Sequence, residues 1–368
     1  MKSFFITIVA VFMALFSFGN KEANVVSQQL INLNATENTK AVYEFLKDNY
    51  GKNVISGQYI NTFDDYSQEK FLLDKNDPTS WNVFKACELQ AINSVTEDYP
   101  LILGLDMCLV LLGTDQYTVD FAQQWHEKGG IVTMCWHWVA PNREGEKRSF
   151  YSKDTDFDLS KALADKSSDD YKAIIADIDI VSEALAVLNE ADVPVLWRPL
   201  HEASGGWFWW GASGADAYKE LYDIMYDRMV NYHGLNNLIW MANAQDKNWY
   251  VGDDKCDILS DDPYYPKSSK LFYKIDPTNA VRFNKNLLTS KNKIIAMSEN
   301  EFLPDVDKMF KKGVYWSMFA TWSRDYVCIA DEAGYPTPEY NEKYVTKDEL
   351  NKVYKNDKVL TLSKAGLK

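Results

Sequence analysis

Ile131-Val132-Thr133-Met134-Cys135 is a run of five residues that sets apolar side chains on both faces of an extended chain. A strand with one wet face alternates apolar and polar residues, so an unbroken run of this kind points to a parallel sheet covered on both sides. Working outward, comparable runs bounded by turn residues recur at 53–58, 101–107, 131–138, 193–200, 237–244, 256–264, 293–301 and 313–321, giving eight candidate strands. Parallel neighbours need crossovers, and the intervening segments supply amphipathic helices. Tyr218, Leu221, Tyr222, Met225, Tyr226 and Met229 repeat at helical spacing before Gly234, where a C-terminal cap belongs. Tyr171, Ile174, Ile175, Ile178, Val181, Leu185 and Leu188 do the same behind the polar segment 167–170. The alternation predicts an α/β fold, a (β/α)8 TIM barrel. An open doubly wound sheet would carry a glycine-rich phosphate loop after its first strand, and residues 53–59 hold no GxGxxG. No Pro/Gly/Ser-rich linker divides the chain, so a single domain is expected. The charged stretch 344–368 is expected to pack a last helix outside the barrel and then fray.

The chain has 368 residues, with 39 Lys plus Arg against 53 Asp plus Glu and a net charge of −14, the opposite of the basic footprint that binds nucleic acid. Lys2 precedes an uncharged run from Ser3 to Gly19, the layout of a secretory signal peptide. Residues 1–20 are therefore expected to be a signal and 21–368 the barrel domain, secreted or held in the periplasm or at the cell surface. No later run is long enough to span a membrane, and a monomer is expected. Cys87, Cys108, Cys135, Cys256 and Cys328 are odd in number and widely spaced, which suits packed thiols better than a disulfide framework. With four His and no HExxH or paired His-Cys cluster, neither a metal nor another cofactor is expected.

Barrel enzymes build their sites at the C-terminal strand ends. Four ends are loaded with polar and aromatic residues: Trp136-His137-Trp138, Trp197-Arg198-Pro199-Leu200-His201-Glu202, Asp261-Asp262-Pro263-Tyr264 and Ser298-Glu299-Asn300-Glu301. Two carboxylates across a barrel mouth are what glycoside hydrolysis needs. One acid protonates the leaving oxygen while the other attacks the anomeric carbon or activates water, and a separation of about 5 to 5.5 Å marks the retaining route. Sugars stack their C–H faces on aromatic rings, and Gly205-Gly206-Trp207-Phe208-Trp209-Trp210-Gly211 follows Glu202 directly. Half of these rings are expected to pack over the mouth as a lid and the rest to face the cleft. Trp322 lies just past the last strand, where a stacking platform would stand.

The fourth-strand segment, with Gly206-Trp207-Phe208-Trp209-Trp210 behind it, resembles the motif of glycoside hydrolase family 26. These are the β-mannanases of the clan that places its acid/base after strand four and its nucleophile on strand seven. Ser56-Gly57-Gln58, Trp136-His137-Trp138, Asp257-Ile258 leading to Tyr264, and Ala296-Met297-Ser298-Glu299-Asn300 agree with it in order, across residues 40–330. The resemblance implies that Glu202 is the acid/base and Glu299 the nucleophile. It implies that His201, where most of the clan has Asn, contacts the sugar beside the scissile bond, and that Tyr264 hydrogen-bonds the nucleophile. His137, Trp207 and Trp322 would shape the sugar subsite, and Arg198 would support the carboxylates electrostatically. Glu301 departs from the family pattern, where a small residue is common. A regular strand would put it on the same face as Glu299, two residues away.

The resemblance thus implies a secreted retaining endo-β-1,4-mannanase acting without a cofactor on β-mannan or a related plant polysaccharide. Alternatives are a related β-glycanase, such as a β-1,3-xylanase or mixed-linkage glucanase, and a mannobiose-releasing exo-enzyme. A glycan-binding protein without catalysis would lack one of the two carboxylates, and both are present.

Overall fold

The structure, a computed structural model, describes residues 23–61, 81–112, 117–141, 149–243, 245–265 and 276–365. Its centre is eight strands: β1 (Val54–Tyr59), β2 (Ile102–Asp106), β3 (Ile131–Cys135), β4 (Val195–Arg198), β5 (Leu238–Ala242), β6 (Ile258–Asp261), β7 (Ile294–Met297) and β8 (Met318–Thr321). They pair in parallel in chain order from β1 to β7, and β8 pairs with β1, setting Met318 opposite Ile55 and Thr321 opposite Gln58. Backbone bonds between β7 and β8 complete the ring. Ser317 N donates to the Ile295 carbonyl at 2.9 Å, and Asn300 N donates to the Ala320 carbonyl at 3.0 Å. Every residue of the eight strands is buried, as the two-faced apolar runs require. The fold is the expected α/β barrel.

The helices follow from their periodicity. Ser168 caps the helix Asp169–Glu190 by accepting from Tyr171 N, and Ile174, Ile178, Val181, Leu185 and Leu188 form its buried face. The helix Ala215–Tyr226 buries Tyr218, Leu221, Tyr222 and Met225 and runs on as a π-helix, Asp227–Tyr232, that buries Met229. Gly234 ends it with a φ of 68°, a left-handed conformation that costs glycine little. Among the described residues no helix is long and apolar enough to cross a membrane. All five cysteines are buried and unpaired with one another. The expected signal segment, 1–20, lies outside the described residues.

Three expectations are corrected. Six of the eight strands, β2 to β7, end earlier than their apolar runs, so Trp136-His137-Trp138 and the residues that follow β4 from Pro199 are loop, whereas β1 runs on to Tyr59 and β8 ends at Thr321 but begins only at Met318. Proline offers no N–H to a ladder, and Pro199 and Pro263 follow β4 and β6 closely. Strand seven does not stay regular through Glu301. Ser298 N bonds the Asp261 carbonyl of β6 at 3.0 Å, whereas Asn300 N bonds Ala320 of β8, so the chain changes partner between them and the two-residue alternation is lost. The C-terminal stretch does not fray after its helix. Short strands β9 (Cys328–Ala330) and β10 (Pro336–Tyr340) form a hairpin, and the helix Lys347–Tyr354 starts with a capping box between Thr346 and Glu349. Then β11 (Val359–Leu360) pairs in parallel with Val54 and Ile55 of β1. Ser56 Oγ fastens it by donating to the Leu360 carbonyl at 2.7 Å while accepting from Leu101 N at 3.1 Å.

Candidate active site

The loops beyond the strand ends enclose a cleft of about 490 Å³, within the size range of small-molecule sites. His137, His201, Glu202, Trp207, Tyr264, Glu299 and Trp322 all line it. Arg198 lies beneath them, fully buried.

Backbone geometry places Glu202. After β4 the chain turns sharply, with Leu200 at φ 51° and Glu202 at φ 55°. Left-handed conformations of this kind cost about 1–3 kcal/mol each at non-glycine residues and persist where surrounding contacts impose them. Here Asn243, just past β5, accepts from Glu202 N at 2.9 Å, while its Nδ2 donates to Ser260 and Ser298, each at 3.2 Å. The turn that presents Glu202 is thus tied to the ends of β5, β6 and β7. Trp207 Nε1 donates to Glu202 Oε2 at 2.9 Å.

Across the cleft, Glu299 is held by two donors. Arg198 Nη2 pairs with its Oε1, and Tyr264 Oη donates to its Oε2 at 3.0 Å. Arg198 Nη1 also pairs with Asp262 Oδ2 at 2.8 Å, and Ser298 Oγ donates to Asp262 Oδ1 at 2.6 Å. One guanidinium thus serves three carboxyl groups, Glu202, Glu299 and Asp262, of which only the latter two touch it. Burial, reinforced by the charge of Glu299, pushes the Glu202 carboxyl up to about 7 against the opposing pull of Arg198 and Trp207. Burial and the other two carboxylates also push Asp262 upward, against Arg198 and Ser298. The result is a protonated carboxyl facing an ion-paired one, the division of labour that acid and nucleophile roles require.

Beside them, Asp106 at the end of β2 orients His137, accepting from its backbone N at 3.0 Å and lying 2.5 Å from Nδ1. His137 Nε2 is 3.2 Å from His201 Nε2. Burial, Arg198 and His137 hold His201 well below the usual imidazole range, so it is neutral. Asp106, Cys135 and His137 bring potential ligand atoms within 4.8 Å of one another. However, the Cys135 thiol is kept protonated by burial and points at Asp106 Oδ2 at 3.3 Å, and Cys108 N takes up Oδ1 at 2.9 Å. This donor set suits an internal hydrogen-bond cluster better than a metal, which binds thiolate.

The aromatic loop divides unevenly. Trp209 and Trp210 are fully buried, their Nε1 atoms donating to the carbonyls of Trp138 (2.6 Å) and His201 (2.9 Å), whereas Trp207 is 43% exposed. Phe208 is buried but edges the cleft, with Tyr151 stacked on it at 5.6 Å. Trp322 leans on Tyr59 at 4.7 Å and His137 at 5.6 Å. Glu301 does not line the cleft. Its Oε1 accepts from Tyr265 N at 2.8 Å, which corrects the expectation that it shares a face with Glu299.

Sequence reasoning missed Asp106 and Asn243 and quoted Asp262 only as part of a loaded strand end without a role, although each is a polar residue at a strand end, where barrel sites form. Tyr151, Gln245, Arg282, Arg324 and Tyr326 also line the cleft. They come from loops and from a helix, and nothing in their sequence spacing marks them.

The profile described as Glycosyl hydrolase family 26 matches residues 31–349. A mannan endo-1,4-beta-mannosidase of Thermothelomyces thermophilus is 34% identical over 349 residues, covering 92% of this chain and 63% of that protein. The chain thus spans less than two thirds of that relative's length. A crystal structure of a GH26-CBM35 beta-(1,4)-mannanase from Podospora anserina superposes with a TM-score of 0.74 at 33% identity, covering 93% of this chain and 70% of that one. A beta-mannanase from a symbiotic protist of the termite Reticulitermes speratus, complexed with gluco-manno-oligosaccharide, gives a TM-score of 0.76 at 30% identity, covering 94% and 99%. With the barrel, the paired carboxyls and the matched span in agreement, this chain belongs to glycosyl hydrolase family 26.

Proposed function

We propose that the chain is a retaining endo-β-1,4-mannanase. The observation that carries the mechanism is the pairing of a Glu202 carboxyl that burial keeps protonated near neutral pH with a Glu299 carboxylate anchored by Arg198 and Tyr264. In the first step a Glu299 oxygen bonds the anomeric carbon as the glycosidic C–O bond breaks, and the Glu202 proton passes to the departing oxygen. In the second, Glu202 takes a proton from water, whose oxygen displaces Glu299 from the anomeric carbon. Trp207, Tyr151 and Trp322 offer rings to the sugar faces, and His137 and His201, hydrogen-bonded to each other, line the same cleft.

Mannan as substrate is supported by the names of the relatives and by the oligosaccharide bound in one of them. The run from Ser3 to Gly19 supports secretion, and the family match over residues 31–349 supports a catalytic domain within 21–368.

The test is a panel of mannan, galactomannan, glucomannan, xylan and mixed-linkage glucan, with viscosity and product sizes followed in time. Rapid viscosity loss and a ladder of manno-oligosaccharides are expected. Disaccharide alone from the outset would show a chain-end enzyme, and cleavage of xylan or mixed-linkage glucan in preference to mannan would overturn the substrate.

A further inference from the structure

Glu88 does not line the cleft, yet it is fully buried, in the first turn of the helix Cys87–Thr96. Its Oε1 accepts from two backbone N–H groups, Asn61 N at 3.1 Å and Arg324 N at 3.0 Å, while Oε2 meets no hydrogen-bond partner among the described residues. Burying a carboxyl is costly, and an apolar side chain would fill the same place without that cost. The reason for a carboxyl here lies in what Oε1 holds.

It holds the base of one cleft wall. Arg324 opens a short 3-10 helix, Arg324–Tyr326, just past β8, and Trp322, Arg324 and Tyr326 all line the cleft. Ser323, which precedes this helix, gives it no side-chain cap, so the first N–H goes to Glu88 instead. Arg324 also sits at φ 62°, a left-handed conformation that a non-glycine residue keeps only where surrounding contacts impose it, and the bond to Glu88 is such a contact. On the other side, Asn61 follows β1, whose last residue, Tyr59, packs its ring on Trp322 at 4.7 Å and accepts from Arg198 Nη2 at 3.4 Å. Gln58 Nε2 joins the same two chains by donating to the carbonyls of Tyr59 at 2.7 Å and Trp322 at 3.2 Å. One carboxyl oxygen therefore fastens both backbones between which the Tyr59 and Trp322 rings stand.

We propose that Glu88 is a positioning residue for the cleft: by accepting from Asn61 N and Arg324 N it sets where the segment 322–326, and with it the Trp322 ring, stands relative to Glu202 and Glu299. The inference rests on the mannanase reading and adds to it a residue that acts on substrate binding from behind the wall, through Trp322. Burial pushes the Glu88 carboxyl up to about 7 against the pull of the bonded N–H groups and the Arg324 charge, and its own charge helps raise the thiols of Cys87 and Cys328. In the acid form the proton sits on Oε2, which has no donor facing it, and Oε1 still accepts. The bridge thus requires side-chain length and an acceptor, not a charge.

The test is steady-state kinetics on mannopentaose, well below the Tm of each variant. Glu88→Gln keeps length and acceptor, Glu88→Asp keeps the charge but withdraws the acceptor by one methylene, and Glu88→Met fills the space and accepts nothing. KM should rise about three- to tenfold in Glu88→Asp and Glu88→Met with kcat changed less than about twofold, because the segment carries sugar-facing groups and no reacting carboxyl; Glu88→Gln should stay within about twofold of the unmodified KM. A purely structural Glu88 would lower Tm and the active fraction, hence kcat, at unchanged KM. That result, or a KM in Glu88→Gln as high as in Glu88→Asp, overturns the proposal. Trp322→Ala checks the route: it should add far less to KM in the Glu88→Asp background than in the unmodified chain, and two effects that simply multiply overturn the route through Trp322. Cleavage of another β-glycan in preference to mannan overturns the mannanase reading alone, since the KM comparison on that glycan still decides Glu88, whereas a chain that cleaves no glycan overturns both.

Discussion

A carboxyl that must donate a proton near neutral pH needs surroundings that penalise its charge, and Glu202 has them in burial and in the facing Glu299. Because its pKa lies near 7, kcat/KM on mannan should fall as pH rises through that value and the acid form is lost. Glu202→Ala should lose about 10²–10⁴-fold on polysaccharide. It should lose far less on an aryl mannoside whose leaving group departs without protonation, and the alkaline fall should disappear. Parallel rate measurements on the two substrates check this; equal losses on both would show that Glu202 is not the acid. Sequence pattern reaches this residue through the strand-end motif, but it does not reach the left-handed turn at Leu200 and Glu202 or the Asn243 bond that imposes it. Those arise from contacts between elements distant in the chain.

Elements converge in a similar way at Glu88, in the first turn of the helix Cys87–Thr96. Its Oε1 accepts from Asn61 N, beyond β1, at 3.1 Å and from Arg324 N, beyond β8, at 3.0 Å, so one carboxyl joins a helix to two loops beyond the strand ends. Burial raises it to about 7, against an ordinary Glu value of about 4.3. Between those values the folded state binds more protons than the unfolded one, so this group's contribution to stability falls as pH rises through the window. Glu88→Gln removes the titration. Its Tm relative to the unmodified chain should therefore rise from pH 5 to pH 8, and a difference that stays constant with pH would contradict the assignment. At this scale the amphipathic helices are legible because apolar residues at 3.6-residue spacing admit one packing face. The ends of the strands are not, since pairing stops where prolines or a change of partner intervene.

For the molecule as a whole, eight strands buried on both faces leave a closed parallel ring as the economical arrangement, which is why runs such as 131–135 reveal the fold. The tail is illegible in sequence because β11 is only two residues long and exists by pairing with β1, some 300 positions earlier. Distance in sequence also hides Asp106 and Tyr326, which acquire meaning only once strand two and the chain after strand eight stand at one mouth. Between Glu299 and Glu301, pattern alone puts both on one face, and the switch of partner from β6 to β8 separates them. Glu301, bonded to Tyr265 N outside the cleft, should tolerate replacement by Gln with measurable turnover, whereas Glu299→Ala should abolish it. The decisive measurement is peptide mapping by mass spectrometry after inactivation with a 2-deoxy-2-fluoro-mannoside. The account predicts one covalent adduct, on Glu299, absent from Glu299→Ala; a label on Glu301 or any other carboxylate, or no adduct together with product of inverted anomeric configuration, would contradict it.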